Sequence, residues 1–224
     1  MTDRTGLLGG TFDPIHLGHL AAGRAAAAAL GLGRVLVVPS SRPPHRPDSP
    51  AASGYHRFAM AAMAVAPEPG FEASDLELQR PGPSYTFDTL SRLHAAGHTA
   101  SRLFFITGAD AFAEIATWSR YPAVLDLAHF VVVARPGTAL TALRNRLPDL
   151  APRMMSPGAI QPDAPPAVIL LEAPTPDVSS TDIRHRAAAG GSLDGYVPPA
   201  VASHIARHGL YRGAPPHRPD HTGA

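Results

Sequence analysis

The chain contains no cysteine and no lysine. Without cysteine there is no disulfide framework, no thiol nucleophile and no thiolate metal site. Without lysine, all 19 basic residues are arginines. A Walker A loop, a Schiff-base enzyme, a Ser-x-x-Lys hydrolase and a protein kinase are thereby excluded. Anions must be held by Arg, His and backbone amides, and the planar guanidinium fork suits phosphate. No uncharged apolar run is long enough to span a bilayer, and the N-terminus enters a first strand without a basic-then-apolar leader. The net charge of +1 argues against a general nucleic-acid or membrane-surface role. A soluble cytoplasmic protein is expected, with neither nucleic acid nor membrane as partner.

What is present is enough for one sizeable core: 224 residues, of which 45% are hydrophobic. Strand-like and helix-like segments alternate. Gly6–Leu8, Val35–Val38, Leu103–Thr107, Phe130–Ala134 and Val168–Glu172 read as strands, and Phe71–Leu78 alternates as a further one. Helices are expected over Pro14–Leu30, Tyr55–Ala66, Thr86–Ala96, Ser180–Ala189 and Pro199–His208, with two short ones in Ala111–Leu127 broken near Pro122. This order predicts a Rossmann-like, doubly wound α/β fold: a mostly parallel sheet with helices on both faces. A single domain is expected over 1–212, with a Pro-rich, weakly patterned insert at about 144–166 and a disordered tail over 213–224. The hexapeptide Pro-Pro-His-Arg-Pro-Asp occupies both 43–48 and 215–220, a recurrence attributed to Pro/Arg/His bias.

The most informative segment is Gly-Gly-Thr-Phe-Asp-Pro-Ile-His-Leu-Gly-His-Leu at 9–20. A strand ends in two glycines, and Asp13 is expected to cap a helix whose first position is Pro14. His16 and His19, three apart, share one face of its first turns. Gly18 removes a side chain where a ligand could approach. Backbone N–H groups, a positive helix end and two imidazoles suit a polyphosphate. A closed zinc site would need ligands from elsewhere, since Asp13 is the only nearby carboxylate. Ser179, Ser180 and Thr181, with Arg184 on the following turn, offer a second site of the same physical kind.

These motifs resemble those of bacterial nicotinate-mononucleotide adenylyltransferases, within the larger His/Thr-x-Gly-His nucleotidyltransferase superfamily. Residues 9–19 are similar to the first family motif, and Val178-Ser-Ser-Thr-Asp-Ile-Arg184 to the second. Pro-Pro-His-Arg at 43–46, Ser-Tyr-Thr at 84–86, Gly-Ala-Asp at 108–110, Trp118, Arg-Pro-Gly at 135–137 and the terminal Gly-Leu-Tyr-Arg fall in the family's order. The departures are Val178 for Ile, and Arg46 where many members have Lys. The resemblance implies transfer of the adenylyl group of ATP to nicotinate mononucleotide, giving nicotinate adenine dinucleotide and pyrophosphate.

By the same resemblance His16, His19 and Arg184 are the catalytic residues. ATP would be held by Gly9, Gly10, Thr11, Phe12, His16, His19, Gly108, Asp110, Arg135, Ser179, Ser180, Thr181 and Arg184. The mononucleotide would be held by Thr11, Arg46, Ser84, Tyr85, Thr86, Asp110 and Trp118. Mg²⁺ is expected through ATP phosphates and water, with no metal site of the protein's own. Four alternatives stay open: nicotinamide mononucleotide as the acceptor; a phosphopantetheine adenylyltransferase, which typically has Thr at the His16 position and lacks Trp118; a cytidylyltransferase; and a non-catalytic nucleotide sensor. Oligomeric state is equally open, a homo-oligomer included.

Overall fold

A computed structural model describes residues 3–43, 50–80, 82–134, 140–161 and 163–212. Among these residues seven strands form one parallel sheet: β1 (Thr5–Gly10), β2 (Arg34–Pro39), β3 (Phe71–Ala73), β4 (Leu103–Gly108), β5 (His129–Ala134), β6 (Met154–Met155) and β7 (Val168–Glu172), in the order β3-β2-β1-β4-β5-β7-β6. Both faces are covered, and the strands show why. Leu8, Val37, Ile106, Val131 and Ile169 face one hydrophobic layer, whereas Leu7, Leu36, Phe105, Phe130 and Val168 face the other. That is the period-2 alternation of a strand whose two sides are both apolar.

The first layer is closed by α1 (Leu17–Leu30), α2 (Gly54–Val65), α6 (Ser180–Ala188) and α7 (Pro199–Arg207). The second is closed by α3 (Thr86–Ala95), the short α4 (Ala109–Phe112) and α5 (Leu140–Arg146). Successive strands step outward from β1 in one direction and from β4 in the other. The switch point between them opens at the carboxyl ends of β1 and β4, where folds of this architecture bind ligands. No helix among the described residues is long and apolar enough to cross a membrane.

Several elements depart from the sequence reading. The first helix begins at Leu17, with His16 as its cap, and not at Pro14 behind an Asp13 cap. Asp13 cannot cap it because its carboxylate accepts from the N–H groups of Ala51 (2.8 Å) and Ala52 (3.0 Å) and from the Tyr211 hydroxyl (2.9 Å). The expected strand Phe71–Leu78 stops at Ala73: the Ser74 N–H makes a last bond to Val37 O, and Asp75–Gln79 turns back on itself. Residues 148–159 contain two 3₁₀ turns and β6, which pads the edge of the sheet beyond β7. The first copy of the repeated hexapeptide, from Pro44 onward, and the second copy in the tail lie outside the described residues.

Arg57 joins the loops above the sheet. It is 1% exposed, yet no carboxylate among the described residues pairs with it directly. The guanidinium instead donates to three carbonyls, those of Thr11 (2.7 Å), Ser41 (3.1 Å) and Ala52 (3.2 Å). Burial lowers its pKa, opposed by the nearby charges of Asp13, Tyr211 and Glu77. A planar five-donor head can bracket three loops at once; an ammonium cannot. Replacing it by Met should cost ~3 kcal/mol or more in urea denaturation, since the three carbonyls are left without a donor.

Histidines set the acid limit of the fold. His129, stacked on Phe104 and accepting from the Ala167 N–H, has its pKa lowered by burial to about 4, with Arg4 and Arg153 adding to the effect. His204 is lowered too, by burial and then by the neighbouring His208, His56 and Arg207. Neutral in the folded chain, these rings take up protons first when unfolded. The His129 contribution is therefore complete above about pH 6.5 and is lost as the pH falls toward about 4, and that of His204 is likewise lost below the ordinary histidine range. Glu77, raised by burial, acts in the opposite sense. Thermal melts should show Tm falling between pH 7 and pH 5; a flat or rising Tm over that interval would contradict the role given to the two histidines.

Candidate functional site

Two cavities open at the switch point and meet over Gly9, Gly10, Thr107 and Ala111. The larger, of about 570 Å³, runs from these residues past His16, Gly18 and His19 to Gly108, Asp110, Thr175, Pro176 and Val178. The smaller, of about 290 Å³, is walled by Thr11, Ser40, Glu77, Ser84, Tyr85, Thr86, Phe105 and Trp118.

The local sequence explains the first cavity. β1 ends in Gly9 and Gly10 because aromatic rings occupy the space where side chains would stand. A Cβ on Gly9 would lie 3.2 Å from the Phe105 ring, and one on Gly10 would lie 2.9 Å from the ring of Phe12. Phe12 itself, 1% exposed, adopts a left-handed φ of 50°, unusual for a bulky residue, and presents its edge to His19. It is a buried support and lines neither cavity.

His16 and His19 cap α1 reciprocally. The His19 N–H donates to His16 Nδ1 (3.4 Å), and the His16 N–H donates to His19 Nδ1 (3.2 Å), with the rings stacked at 3.6 Å. This is the capping-box arrangement built from imidazoles. Gly18 lines the cavity and also makes room for that stack, since a Cβ there would sit 3.1 Å from the His16 ring. Burial, then the charge of His16, holds the His19 pKa well below its ordinary value. The unliganded pair is therefore suited to receive a polyanion, which favours the protonated form.

The second motif is tied to the first by direct hydrogen bonds. Ser180 Oγ donates to Pro14 O (3.0 Å), and Arg184 donates to Asp13 O (2.9 Å) and to Thr181 Oγ1 (3.2 Å). Ser179 is the N-cap of α6: its hydroxyl accepts from the Asp182 N–H (3.1 Å) and donates to the Asp182 carboxylate (2.7 Å). The hydroxyls of Ser179 and Ser180 are thus committed within the protein. The groups left for an anion are the first N–H groups of α6, the Thr181 hydroxyl and the remaining guanidinium edge of Arg184. Ser179, Ser180, Thr181 and Arg184 do not themselves line the larger cavity, whose wall on this side is Thr175, Pro176 and the adjoining Val178.

In the smaller cavity the structure brings together Thr11, Ser84, Tyr85, Thr86 and Trp118, from three separate stretches of the chain. Trp118 is half-buried, edge-on to Phe105 at 5.8 Å, so it belongs to the core layer and to the cavity wall at once. Ser84 accepts from the Ser41 N–H (2.8 Å) and hydrogen-bonds Glu77, which also accepts from the Thr89 hydroxyl (2.6 Å). Burial raises the Glu77 pKa against these bonds. Asp110 lies in the larger cavity only, exposed in the first turn of α4. Arg46 and Arg135 lie outside the described residues.

Sequence reasoning does not single out Ser40, Arg57, Glu77 or Phe105, and it names Tyr211 only as part of the terminal Gly-Leu-Tyr-Arg, with no role. Ser40 lies beside a motif, but nothing in spacing marks it. Arg57 sits where an amphipathic reading of α2 places an ordinary charged residue.

Comparison with known proteins agrees with this geometry. The family model described as cytidylyltransferase-like matches residues 7–186. A protein of Roseiflexus sp. (strain RS-1) named "Probable nicotinate-nucleotide adenylyltransferase" is 45% identical over 207 residues, covering 92% of this chain and 97% of its own. One of the same name from Thermus thermophilus is 44% identical over 209 residues, covering 93% and 100%. In fold, the chain is similar to a Plasmodium falciparum nicotinic acid mononucleotide adenylyltransferase solved with NaAD, with a TM-score of 0.68 at 16% identity over 93% of this chain and 97% of that one. With two linked phosphate-type motifs at the switch point and relatives of this identity along nearly its whole length, the chain belongs to the nicotinate-nucleotide adenylyltransferase family of cytidylyltransferase-like nucleotidyltransferases.

Proposed function

We propose that this protein is an enzyme that transfers the adenylyl group of ATP to nicotinate mononucleotide, releasing pyrophosphate and forming nicotinate adenine dinucleotide for NAD synthesis. The observation that carries this reading is the pair of cavities meeting at Gly9 and Gly10, one lined by imidazoles, the other walled by aromatic rings. ATP occupies the larger cavity with its phosphates over the start of α1. The mononucleotide occupies the smaller one with its pyridine ring against Trp118.

The 5′-phosphate of the mononucleotide attacks the α-phosphorus of ATP in line, and the bond from that phosphorus to the bridging oxygen of pyrophosphate breaks. The attacking oxygen is already anionic, so no general base and no covalent intermediate are required. Catalysis reduces to positioning and charge stabilisation. His16 and His19 stabilise charge at the α-phosphoryl, aided by the N-terminus of α1. The α6 N-terminus, Thr181 and Arg184 hold the departing β- and γ-phosphates, with Arg135 and Arg46 as further anion contacts. Asp110 is placed to accept from ribose hydroxyls, and the Ser84-Tyr85-Thr86 turn to hold the pyridine substituent.

Enzymes of this class work with a divalent ion, and Mg²⁺ arriving on the ATP phosphates supplies further charge neutralisation. The residue set fits that role: among the described residues no group of three His, Asp or Glu side chains could cage a metal, and Asp110 is the single acidic wall residue of the larger cavity. The ion's remaining ligands are then phosphates and water.

Pyrophosphate release, measured in parallel with nicotinate mononucleotide, nicotinamide mononucleotide and phosphopantetheine, should occur fastest with the first. Silence with all three, alongside retained ATP binding, would mark a sensor instead. His19→Ala should lower kcat by ~10²-fold, the usual loss for one preorganised electrostatic donor. Unchanged turnover would remove His19 from the chemistry. In an NMR titration, ATP with Mg²⁺ should raise the His19 pKa from its depressed value in the free protein; an unchanged titration would rule out the imidazolium as the species facing phosphate.

A further inference from the structure

Ser40 is the one buried side-chain hydroxyl among the described residues that has no hydrogen-bond partner. It stands directly after β2 and is 8% exposed, in the wall of the smaller cavity. Its backbone is fastened: the Ser40 N–H donates to Gly10 O (2.9 Å), the glycine that both cavities share. The side chain has no such anchor. Buried polar groups are nearly always paired, and one left over in a cavity wall calls for a ligand or a functional cause.

Position and charge say what the hydroxyl serves. In a transfer between two cavities, the acceptor's nucleophilic phosphate must lie at their junction, while its ring reaches the aromatic end at Trp118. Ser40 borders that junction through Gly10. Behind it, the buried guanidinium of Arg57 bonds the carbonyls of Thr11 and Ser41, putting a fixed positive charge beneath the same wall. Glu77 stands in the same cavity wall, tied to Thr89 and Ser84, so it is the place of Ser40 at the junction, with Arg57 behind it, that assigns its hydroxyl to the phosphate. One rotation about the Cα–Cβ bond is all a serine needs to redirect its donor.

We propose that Ser40 is an acceptor-binding residue whose hydroxyl donates to the 5′-phosphate of the mononucleotide, filling its unmet hydrogen bond only when that substrate is present. This rests on the adenylyl-transfer reading. The signature is unusual because the hydroxyl contributes to substrate affinity and nothing to the fold.

The test compares wild type with Ser40→Ala in steady-state pyrophosphate release, thermal melting, and inhibition by nicotinate riboside, which lacks the phosphate. The variant should show a KM for nicotinate mononucleotide raised ~10-fold or more, with the KM for ATP within about twofold of wild type. Tm should be equal or slightly higher, because a buried hydroxyl without a partner is removed. Inhibition by the riboside should be unaltered. An unchanged mononucleotide KM overturns the inference, as does a Tm lowered by several degrees, which would show a structural partner. Weakening of riboside inhibition by the same factor as the mononucleotide would move the contact off the phosphate and overturn it too. A wild-type protein without pyrophosphate release overturns the functional reading itself, which is distinct from an active wild type indifferent to Ser40→Ala.

Discussion

The carboxylate of Asp13 is the point at which the site closes. It is 3% exposed, and a charge so buried is tolerated only when its oxygens are fully engaged. Two N–H groups just before α2 and the Tyr211 hydroxyl near the C-terminus meet that need. The carbonyl of the same residue receives Arg184 from α6. Three segments far apart in sequence therefore converge on one residue between the glycine turn and the histidines. Arg57 completes the frame from below by bonding the carbonyls of Thr11, Ser41 and Ala52. Hydrogen bonds to charged groups are each worth about 1.5–3 kcal/mol, so this frame is stiff relative to an ordinary loop.

That stiffness is what adenylyl transfer asks for. The reaction needs no proton abstraction and no protein nucleophile, and its barrier falls when two anionic substrates are held in line and their charge is met by fixed donors. A lysine-free chain supplies those donors as imidazoles, guanidinium groups and helix N-termini. The two helices concerned, α1 and α6, are joined at their starts through Pro14 and Asp13. Their positive ends thus keep a fixed relation, and the α-phosphoryl and the leaving phosphates are met by one rigid body. The imidazole stack fits the same logic. His16 and His19 cap the helix in the free protein, and a polyanion offsets the repulsion that protonating two adjacent rings brings.

Much of the architecture was legible in the sequence because local patterning and tertiary demand agreed. Val35–Val38 and Phe130–Ala134 are apolar at every position and mostly β-branched, and a strand buried on both faces needs that. The helix over Ser180–Ala188 announced itself by its Ser cap and acidic third residue. Legibility failed where one residue had two claims on it. Asp13 before Pro14 has the pattern of a helix start, but its carboxylate was already taken by the turn before α2 and by Tyr211. Gly18 suggested room for a ligand; it does line the larger cavity, but it also makes room for the His16 ring, which the sequence does not show. Edge strand β6, two residues in a Pro-rich stretch, has no periodicity to show; it exists because β7 offers an unpaired edge.

From the sequence alone came the parallel α/β class, the two phosphate-type motifs, the exclusion of lysine chemistries and the family resemblance. Each depends on residue identity and short-range order, which a linear reading contains. Only the tertiary structure decided how the motifs are coupled, which hydroxyls are already spent on protein groups, and that Trp118 shares its ring between core and cavity. It also revealed Ser40 as a donor without a partner. The physical reason is that hydrogen-bond satisfaction is a property of the folded neighbourhood. A serine in the sequence is only a possible donor, and the chain around it determines whether that donor is used within the protein or left for a substrate.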